Sequence, residues 1–548
     1  MKNRRYKKLI QKPYNTFEGK TIRQINIQTL DPFGYSIADT SIKPQTILSK
    51  TGNMIHVKTQ RFTIRNLLLV RENQTFDSLL VKESERLVRS RGYVTDVSFF
   101  VKKADNSSDS VDIFIRELDK WSIIPDLKAS NTHYSISLGD KNFSGLGHEF
   151  QNGFSRSITK GVNSFRTNYY IPNIRNTFIS TALHYSFDGN GNFRRSLAVE
   201  RPFYSPLAKW AAGVSFASQL KQDSLNGFSS DYIDDPAKLK FSTQDYWVGK
   251  AIRIFKGNTE EERVTNLILA MRYFRLRYAE KPSEIQDPLR IFSNEDFYLA
   301  AIGISTRKYV QDRYIFNFGI IEEVPIGKVY GLTGGYQVRG NSSRQYFGVR
   351  FSFGNYNEWG YLSSNVEYGT FFKASHTEQG VFTAGANYFT GLFQIGSLKF
   401  RQFVKPQLII GIKRLPYDSL TLNSGYGLDG FKSTVLSGTR RLLLTLQTQS
   451  YLPWKLLGFR FGPYFVSSFG ILGDAEKRFK KRKVYSQMGL GVLIKNENLV
   501  INTFHISISF YPVMPGVGNN ILKTNTFSTT NFGFRNFEFG KPETVLYQ

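Results

Sequence analysis

The chain has 548 residues, a formal net charge of +28 and no cysteine, and 15% of its residues are aromatic. Without cysteine there are no disulfides, thiolate metal sites or cysteine nucleophiles. No apolar run reaches the roughly 18 residues of a membrane-spanning helix, which excludes a helical membrane protein. A β-barrel is not excluded, because the polar residues that face its lumen dilute its apolar ones.

Positive charge of this size suits nucleic acid, anionic lipid or an acidic partner. The Lys and Arg residues are scattered through strand-like segments without a nucleic-acid-binding motif, and we therefore predict no nucleic-acid partner. Residues 1–19 form a basic N-terminal segment that lacks the apolar core of a secretory signal. If the protein is exported, the numbering starts after a removed leader.

Residues 20–121 predict a small α+β domain. Apolar residues spaced by three and four indicate two helices, the second with Asp77 as its N-cap, and alternating residues indicate three strands. In chain order these are a strand at Ile22–Gln28, helices at Phe62–Val70 and Asp77–Arg91, and strands at Val97–Val101 and Val111–Ile115. A polar connection joins the first strand to the first helix.

Residues 122–548 contain strand-like segments and no convincing helix. Phe178–His184, Phe347–Phe353 and Phe504–Phe510 alternate apolar and polar residues, as strands with one apolar and one polar face do. No linker divides this region into several sandwiches, so a single closed barrel without free edges explains it best. We predict a transmembrane antiparallel β-barrel with an even strand number of about 16 to 20.

The domain at 20–121 resembles a POTRA domain of the BamA/TamA-type outer-membrane assembly and translocation superfamily. The resemblance rests on the element order and on Leu67–Asn73, Glu83–Leu87 and Asp119–Ser122. It implies a periplasmic domain that binds extended polypeptide by strand addition at a sheet edge. A structural plug or spacer is the alternative role for this domain.

Several barrel stretches also resemble this superfamily. Gly139–Gly147 resembles its early turn between strands, and Glu323–Gly327 resembles a periplasmic turn. Tyr170–Ile174 and Arg201–Ser205 resemble the strand ends that lie between these two turns. The order of these motifs along the chain carries the resemblance, which covers roughly residues 20–548.

A long Gly-rich loop at 413–439 precedes the clearest strand of the barrel. It contains Gly427, Leu428, Asp429, Gly430 and Phe431, which stand where the superfamily carries a Val/Ile/Leu-Arg-Gly-Phe/Tyr motif. The resemblance implies that this extracellular loop folds into the lumen. Because Asp429 replaces the family's arginine, the usual contact with an acidic wall residue cannot form. Either Asp429 meets a lumen Arg or Lys, or the loop is held by hydrogen bonds without a charge partner.

The barrel is expected to close between its first and last strands. The first strand, near Ser122 to Ser130, contains Pro125, which cannot donate a ladder hydrogen bond and so weakens the closure. The last strand is predicted within Asn531–Phe539. The predicted seam residues are Ser122, Pro125, Phe534, Phe537 and Phe539.

The resemblance implies a protein without cofactor or catalytic residues that inserts barrel proteins into the outer membrane, or translocates polypeptide across it, by strand pairing at this seam. The expected partners are outer-membrane lipid and lipopolysaccharide, an unfolded or extended client polypeptide, and accessory periplasmic or lipoprotein subunits. The alternative is a passive channel or scaffold plugged by its own loop and POTRA-like domain. A barrel hydrolase that uses His184 and Ser186, two apart on one strand, is a third hypothesis.

One charged loop is a candidate contact for lipopolysaccharide. By strand count it is extracellular, where Lys and Arg can bind phosphate groups, and an ordinary solvated charge run is the alternative. Its basic residues are Lys477, Arg478, Lys480, Lys481, Arg482 and Lys483.

Overall fold

The computed structural model describes residues 13–548 apart from 38, 105–108, 224–236, 285–286, 288, 375, 416, 477, 497, 500–503 and 527–535. Most of the basic segment 1–19 therefore lies outside the described residues, as do Phe534 of the predicted seam and Lys477 of the charged loop. The described chain forms a small unit with a three-stranded sheet, followed by a large closed barrel.

The first unit contains a 3-10 turn at Tyr14–Phe17, three strands and three helices. In chain order they are β1 Thr21–Leu30, α1 Ile47–Ile55, α2 Arg61–Arg65, α3 Ser78–Arg89, β2 Val94–Lys103 and β3 Ser110–Asp119. The strand order is β1-β3-β2, with β1 and β3 parallel and β2 and β3 antiparallel. This α/β unit has the predicted elements in the predicted order, and it also contains α1, which the sequence indicated only as a polar connection.

The core of the α/β unit lies between the sheet and α3. Alternate residues such as Phe99 of β2 and Ile113 of β3 are completely buried there, together with Val81 and Val88 of α3. The carboxylate of Asp77 accepts hydrogen bonds from the first backbone N–H groups of α3, as predicted for an N-cap.

The barrel begins directly after this unit. Its first eleven segments are β4 Ile123–Ala129, β5 His133–Phe143, β6 His148–Ser157, β7 Val162–Ile171, β8 Ser180–Phe187, β9 Phe193–Arg201, β10 Trp210–Asp223, β11 Ala237–Arg253, β12 Thr265–Glu280, β13 Glu295–Asp312 and β14 Glu322–Arg339. A short helix, α4 Glu260–Val264, joins β11 to β12. The prediction of no helix after residue 122 was wrong at this one described position, because five residues carry too little periodicity to be recognised.

The remaining segments complete the barrel. They are β15 Ser342–Asn357, β16 Gly360–Lys373, β17 His376–Thr390, β18 Phe393–Ile395, β19 Leu398–Ile412, β20 Arg440–Tyr451, β21 Lys455–Leu456, β22 Phe459–Gly473, β23 Tyr485–Lys495, β24 Phe504–Met514 and β25 Gly518–Thr524. In the order of the closed sheet, β25 lies next to β4.

The described part of the barrel has 22 strand segments. The segments β17 and β18 both pair with β19, and β20 and β21 both pair with β22. Each of these pairs is therefore one interrupted strand, and counting each pair once leaves 20 positions around the barrel. This number is even and agrees with the upper end of the predicted range.

The barrel wall has an apolar outer face and a mixed inner face. In β24, Phe504, Ile506 and Ile508 are exposed on the outside, while the alternate residues Ser507 and Ser509 are buried inside. This alternation is what a barrel in a lipid bilayer requires. Among the described helices, none is long and apolar enough to cross a membrane.

The α/β unit docks against one end of the barrel, which we call the near end. Arg89 of α3 binds Glu323 of β14, with 2.5 Å between Nη1 and Oε1. Arg263 of α4 binds Asp77 at 2.5 Å, and the guanidinium of Arg86 lies 4.2 Å from the centre of the Tyr309 ring. Because the strands run antiparallel, the loop at 413–439 between β19 and β20 lies at the opposite, far end.

Candidate functional site

The lumen is the candidate functional site, because three separate segments of the chain fold into it. They are the loop at 413–439, the connection 313–321 between β13 and β14, and residues 536–548, which we call the lumen segment.

The loop at 413–439 packs against the inner wall near the far end. Leu428 and Phe431 are about 1% exposed and belong to a cluster with Leu443 of β20 and Tyr511 and Met514 of β24. Leu443 faces the lumen, since its neighbours Leu442 and Leu444 lie on the outer face of β20. Leu428 and Phe431 of the motif Gly427–Phe431 therefore pack against inward-facing residues of the wall.

The backbone of this loop is held by the wall strands next to the closure. Tyr511 donates its hydroxyl hydrogen to the carbonyl oxygen of Asp429, and Lys523 of β25 donates to the carbonyl of Gly430 at 2.8 Å. Gly430 has φ +71°, and a Cβ there would lie 2.3 Å from the Tyr511 hydroxyl oxygen. These contacts go to main-chain oxygens and do not require an arginine at position 429. A charge-reversed contact of the Asp429 carboxylate stays a prediction.

The connection 313–321 fills the lumen at the near end. Ile315 and Phe318 are about 1% exposed, and Tyr451 of β20 donates to the carbonyl of Ile315 at 2.8 Å. The guanidinium of Arg401 in β19 binds the carbonyl of Tyr314 at 2.9 Å and the carboxylate of Asp312 at 3.1 Å. The predicted turn at Glu323–Gly327 was wrong: these residues begin β14, because the chain turns earlier and folds inward first.

The lumen segment contradicts the predicted location of two seam residues. Phe537 and Phe539 are not in a closing strand, since β25 ends at Thr524 and residues 536–548 have no regular structure. Both rings instead join a buried cluster with Phe203, Trp247 of β11 and other inward-facing residues. The alternation of aromatic residues that suggested a strand arises because two rings of an extended chain face the same wall.

Glycines of the inner wall leave the space that these two rings occupy, and we call these positions the glycine seats. A Cβ on Gly303 of β13 or Gly331 of β14 would lie 2.7 Å or 2.2 Å from an atom of the Phe539 ring. A Cβ on Gly354 of β15 would lie 2.2 Å from the Phe537 ring. Gly303 and Gly331 are direct cross-strand partners, so β13 and β14 together present one flat surface that only glycine allows.

Charged side chains of the wall hold the segment between and beyond the rings. Arg307 of β13 binds the carboxylate of Glu538 at 3.0 Å, and Asp245 of β11 binds the Lys541 ammonium at 2.8 Å. Arg272 of β12, which also binds Asp245, donates to the carbonyl of Pro542 at 3.0 Å.

The segment then continues to the far end. The backbone N–H of Val545 donates to the Tyr346 hydroxyl of β15 at 2.8 Å, and Arg414 lies 4.1 Å from the centre of the Tyr547 ring. Arg441 of β20 donates to the backbone oxygen of Gln548. One short segment thus contacts strands from β11 round to β20, which requires it to run through the interior.

A cavity of about 1010 Å³ remains beside the lumen segment. The segment lines one side of it, Tyr426 and Asp429 of the loop line another, and Arg350, Lys405 and Arg441 belong to the wall. The open space in this part of the lumen is therefore bordered by the lumen segment and by both basic and acidic residues.

The predicted first strand lies at the expected position. β4 contains Pro125, whose register partner in β5 is Leu138, and Ser122 is buried just before it, with its carbonyl accepting from the Lys141 N–H at 3.1 Å. Both β4 and β25 are seven residues long, whereas β13 and β14 have 18 each. The closure therefore joins two short strands.

The charged loop between β22 and β23 contains five of the six predicted lipopolysaccharide contacts among its described residues. They are Arg478, Lys480, Lys481, Arg482 and Lys483. Arg482 forms an ion pair with Asp474, and Lys483 lies 6.0 Å from the centre of the Tyr485 ring. These contacts do not test a lipopolysaccharide role.

His184 and Ser186 face the lumen and contact each other. The distance from His184 Nε2 to Ser186 Oγ is 3.1 Å, and His184 Nδ1 contacts Asn168 Oδ1 of β7. Ser186 lies directly between Arg166 and Arg194 on the neighbouring strands. A serine hydrolase needs its histidine to take up a proton, and two nearby guanidinium groups oppose that charge, so we interpret the pair as part of a polar lumen network.

Sequence reasoning missed most of the residues that hold the inserted segments. Arg307, Arg350 and Arg401 were not singled out, and neither were the glycine seats, because each is one residue in an ordinary alternating strand. In the sequence, each of them is only a Gly or an Arg within an alternating strand. Which residues of a strand face the lumen becomes known only when the strand register is known.

The comparisons with known proteins reveal distant likenesses. No family model and no curated protein sequence matches the chain. Among solved structures, CdiB from Acinetobacter baumannii is similar over 93% of this chain and 73% of its own, with 12% identity and a TM-score of 0.42. BamA from Haemophilus ducreyi lacking POTRA domains 1–3 is similar over 92% and 83%, with 11% identity and a TM-score of 0.31. Because both scores are low, the assignment of a barrel rests on the closed strand order and register of the chain itself.

Proposed function

We propose that this protein inserts barrel proteins into the outer membrane, or translocates polypeptide across it, by strand pairing at the junction of β4 and β25. The observation that carries the proposal is this junction, where two seven-residue strands close a barrel whose other strands reach 18 residues. Short strands share few ladder hydrogen bonds, and Pro125 removes one donor. A weak junction offers backbone groups to an incoming client strand.

The α/β unit would bind the client polypeptide, as a POTRA-like domain. Its sheet has edges at β1 and β2. The β1 edge is partly covered, since the Asn73 N–H donates to the carbonyl of Ile22, and the Ile22 N–H donates to the carbonyl of Gln74. The proposal therefore assigns client binding by strand addition to β2, Val94–Lys103.

This function requires a defined membrane setting. The barrel would span the outer membrane with the α/β unit in the periplasm, and the loop between β22 and β23 would face lipopolysaccharide. Client polypeptide and accessory periplasmic or lipoprotein subunits would meet the protein at the near end. No nucleotide, metal or catalytic group enters the proposed mechanism.

A passive channel or scaffold is the second candidate function. Three inserted segments and the docked α/β unit occupy the lumen and its near end in the described structure, and this occupancy suits a plugged barrel as well as a gated one. A scaffold would not depend on an opening junction.

Depletion of the protein in its own host, followed by quantitative profiling of the outer membrane, tests the proposal. Selective loss of other barrels, with their unfolded forms building up in the periplasm, would support insertion. Normal barrels with one missing secreted product would support translocation. If neither changes, the proposal is wrong and the channel or scaffold is favoured.

A further inference from the structure

We infer that the inner wall of β13–β15 is a binding site for an extended polypeptide carrying an aromatic–acidic–aromatic triplet, and that the lumen segment occupies this site in cis. The occupant that would replace the segment is a client polypeptide. In that respect the inference rests on the proposed function and names the part of the lumen that the client would use.

The wall binds the lumen segment in part through groups that every polypeptide has. Ser305 donates to the carbonyl of Phe537 at 2.8 Å, and Arg350 donates to the carbonyl of Glu538 at 3.3 Å. Arg272 donates to the carbonyl of Pro542 at 3.0 Å. Because carbonyl oxygens are the same in all sequences, these contacts tolerate different occupants.

Three consecutive positions supply the selectivity. Phe537 and Phe539 lie on the glycine seats, where any side chain on the wall would take the place of a ring. Glu538, between them, binds Arg307, whose side chain is 5% exposed and also donates to the carbonyl of Phe203 at 2.6 Å. The site therefore selects two aromatic side chains separated by one acidic residue in an extended chain.

The manner of binding allows one chain to exchange for another. The lumen segment forms no strand ladder with the wall, so it can leave without breaking a cooperative row of backbone hydrogen bonds. The cavity of about 1010 Å³ lies directly beside Glu538 and the residues that follow. An incoming chain can lie in that cavity before it takes over the seats.

The test is a binding titration with the purified full chain and with a variant lacking residues 536–548, both in lipid nanodiscs. The probe is a fluorescein-labelled peptide with the sequence of residues 536–548, followed by fluorescence anisotropy. The variant should bind the probe saturably, and the full chain should bind it at least tenfold more weakly, because its own segment competes. A second probe with Ala in place of both Phe residues should bind the variant at least tenfold more weakly than the first.

A matched pair of wall substitutions shows where the peptide binds. On the deletion background, Gly331→Ala places a Cβ where the ring must lie, whereas Gly334→Ala adds one to the outer face of the same strand, where nothing lies within 4 Å. Gly331→Ala should reduce probe binding at least tenfold, and Gly334→Ala should leave it unchanged. Equal effects of the two substitutions would overturn the inference.

A second variant covers the case in which the deletion does not fold, as judged by heat-modifiable migration in gels. In the full chain, Phe537→Ala with Phe539→Ala weakens the cis contact while the other contacts remain, so probe binding should increase over wild type. No increase would overturn the inference. If the probe binds as expected but depletion leaves barrels and secreted products normal, the proposed function fails while the binding site stands.

Discussion

Arg401 of β19 binds Asp312 at the end of β13, with 3.1 Å between Nη2 and Oδ2, although four other strand positions separate the two strands in the barrel order. The side chain of Arg401 is completely buried and also binds the carbonyl oxygens of Arg313, Tyr314 and Thr390. It thus holds the connection 313–321 across the near end of the lumen.

Replacing Arg401 should release this connection. Arg401→Met keeps the aliphatic stem but removes the donor to three carbonyls and the ion pair with Asp312, whose carboxylate keeps its hydrogen bonds from Tyr356 and the Arg313 N–H. Breaking a buried pair typically costs about 3 to 5 kcal/mol. We expect a lower free energy of unfolding in urea and a higher conductance in planar bilayers. Arg482→Met, in an exposed loop, is the control and should change both by little, since exposed ion pairs contribute about 1 kcal/mol or less. Unchanged conductance for Arg401→Met would show that 313–321 does not restrict the lumen.

The loop at 413–439 offers a matched pair of glycines. Gly430 and Gly425 both have positive φ, so alanine strains the backbone at both, but only at Gly430 would the new Cβ meet the Tyr511 hydroxyl. Gly430→Ala should displace the loop from the wall and destabilise the barrel by about 1 to 3 kcal/mol more than Gly425→Ala. The midpoint of heat-modifiable migration and protease cleavage within the loop measure the difference. Equal midpoints and equal cleavage would contradict this docking.

The strands could be predicted from the sequence because apolar and polar residues alternate within each of them. In β20 and β24 this alternation is the one expected for a strand with one outward apolar face. Helix α1 could not, because Ile47 and Met54 are exposed, so the apolar residues of its sequence do not mark one side that faces the core. The location of Phe537 and Phe539 could not either. The glycines that contact these rings, such as Gly303 and Gly354, are brought together only by the register of three strands. No local sequence pattern indicates that they lie side by side.

Glu117 of β3 should make the stability of the α/β unit depend on pH. Its side chain is completely buried, and burial, followed by the neighbouring Asp119 carboxylate, raises its pKa well above the ordinary value. In the unfolded chain it ionises near its ordinary pKa of about 4.3. Its contribution to stability is therefore complete below that pKa and is lost as pH rises through the folded pKa.

The neutral variant Glu117→Gln should not lose this contribution to stability as pH rises, because its side chain does not ionise. At pH 8 it should stabilise the α/β unit by about 1 kcal/mol or more, and near pH 4 the advantage should shrink. Hydrogen exchange of the β3 amides in the full chain, corrected for intrinsic rates, measures the stability of the α/β unit at each pH. Asp112→Asn is the control of opposite sign: a hydrogen bond from Arg23 lowers the pKa of Asp112, so its contribution is lost as pH falls. A wild-type unit equally protected at both pH values would refute the role of Glu117.

The hydrolase hypothesis for His184 and Ser186 predicts esterase activity, and we expect the protein to have none. If His184 and Ser186 are a lumen network, Ser186→Ala removes one hydrogen bond and costs about 1 kcal/mol of stability, without loss of client assembly or secretion. Esterase assays on the purified wild type with short-chain esters should give no turnover above buffer. Turnover that disappears in Ser186→Ala would instead establish catalysis in this barrel.

The junction of β4 and β25 gives the most direct test of the proposed mechanism. Because the chain has no native cysteine, cysteine pairs placed between Ile123–Ala129 and Gly518–Thr524 can lock the junction with a single introduced disulfide. Oxidation should abolish client assembly or secretion, and reduction should restore it. The control pair, Ala300→Cys with Gly334→Cys, joins register partners of β13 and β14, far from the closure, and should leave function intact when oxidised. Full function with the closure locked would mean that clients do not pair at this junction, and the passive barrel would then be the better account.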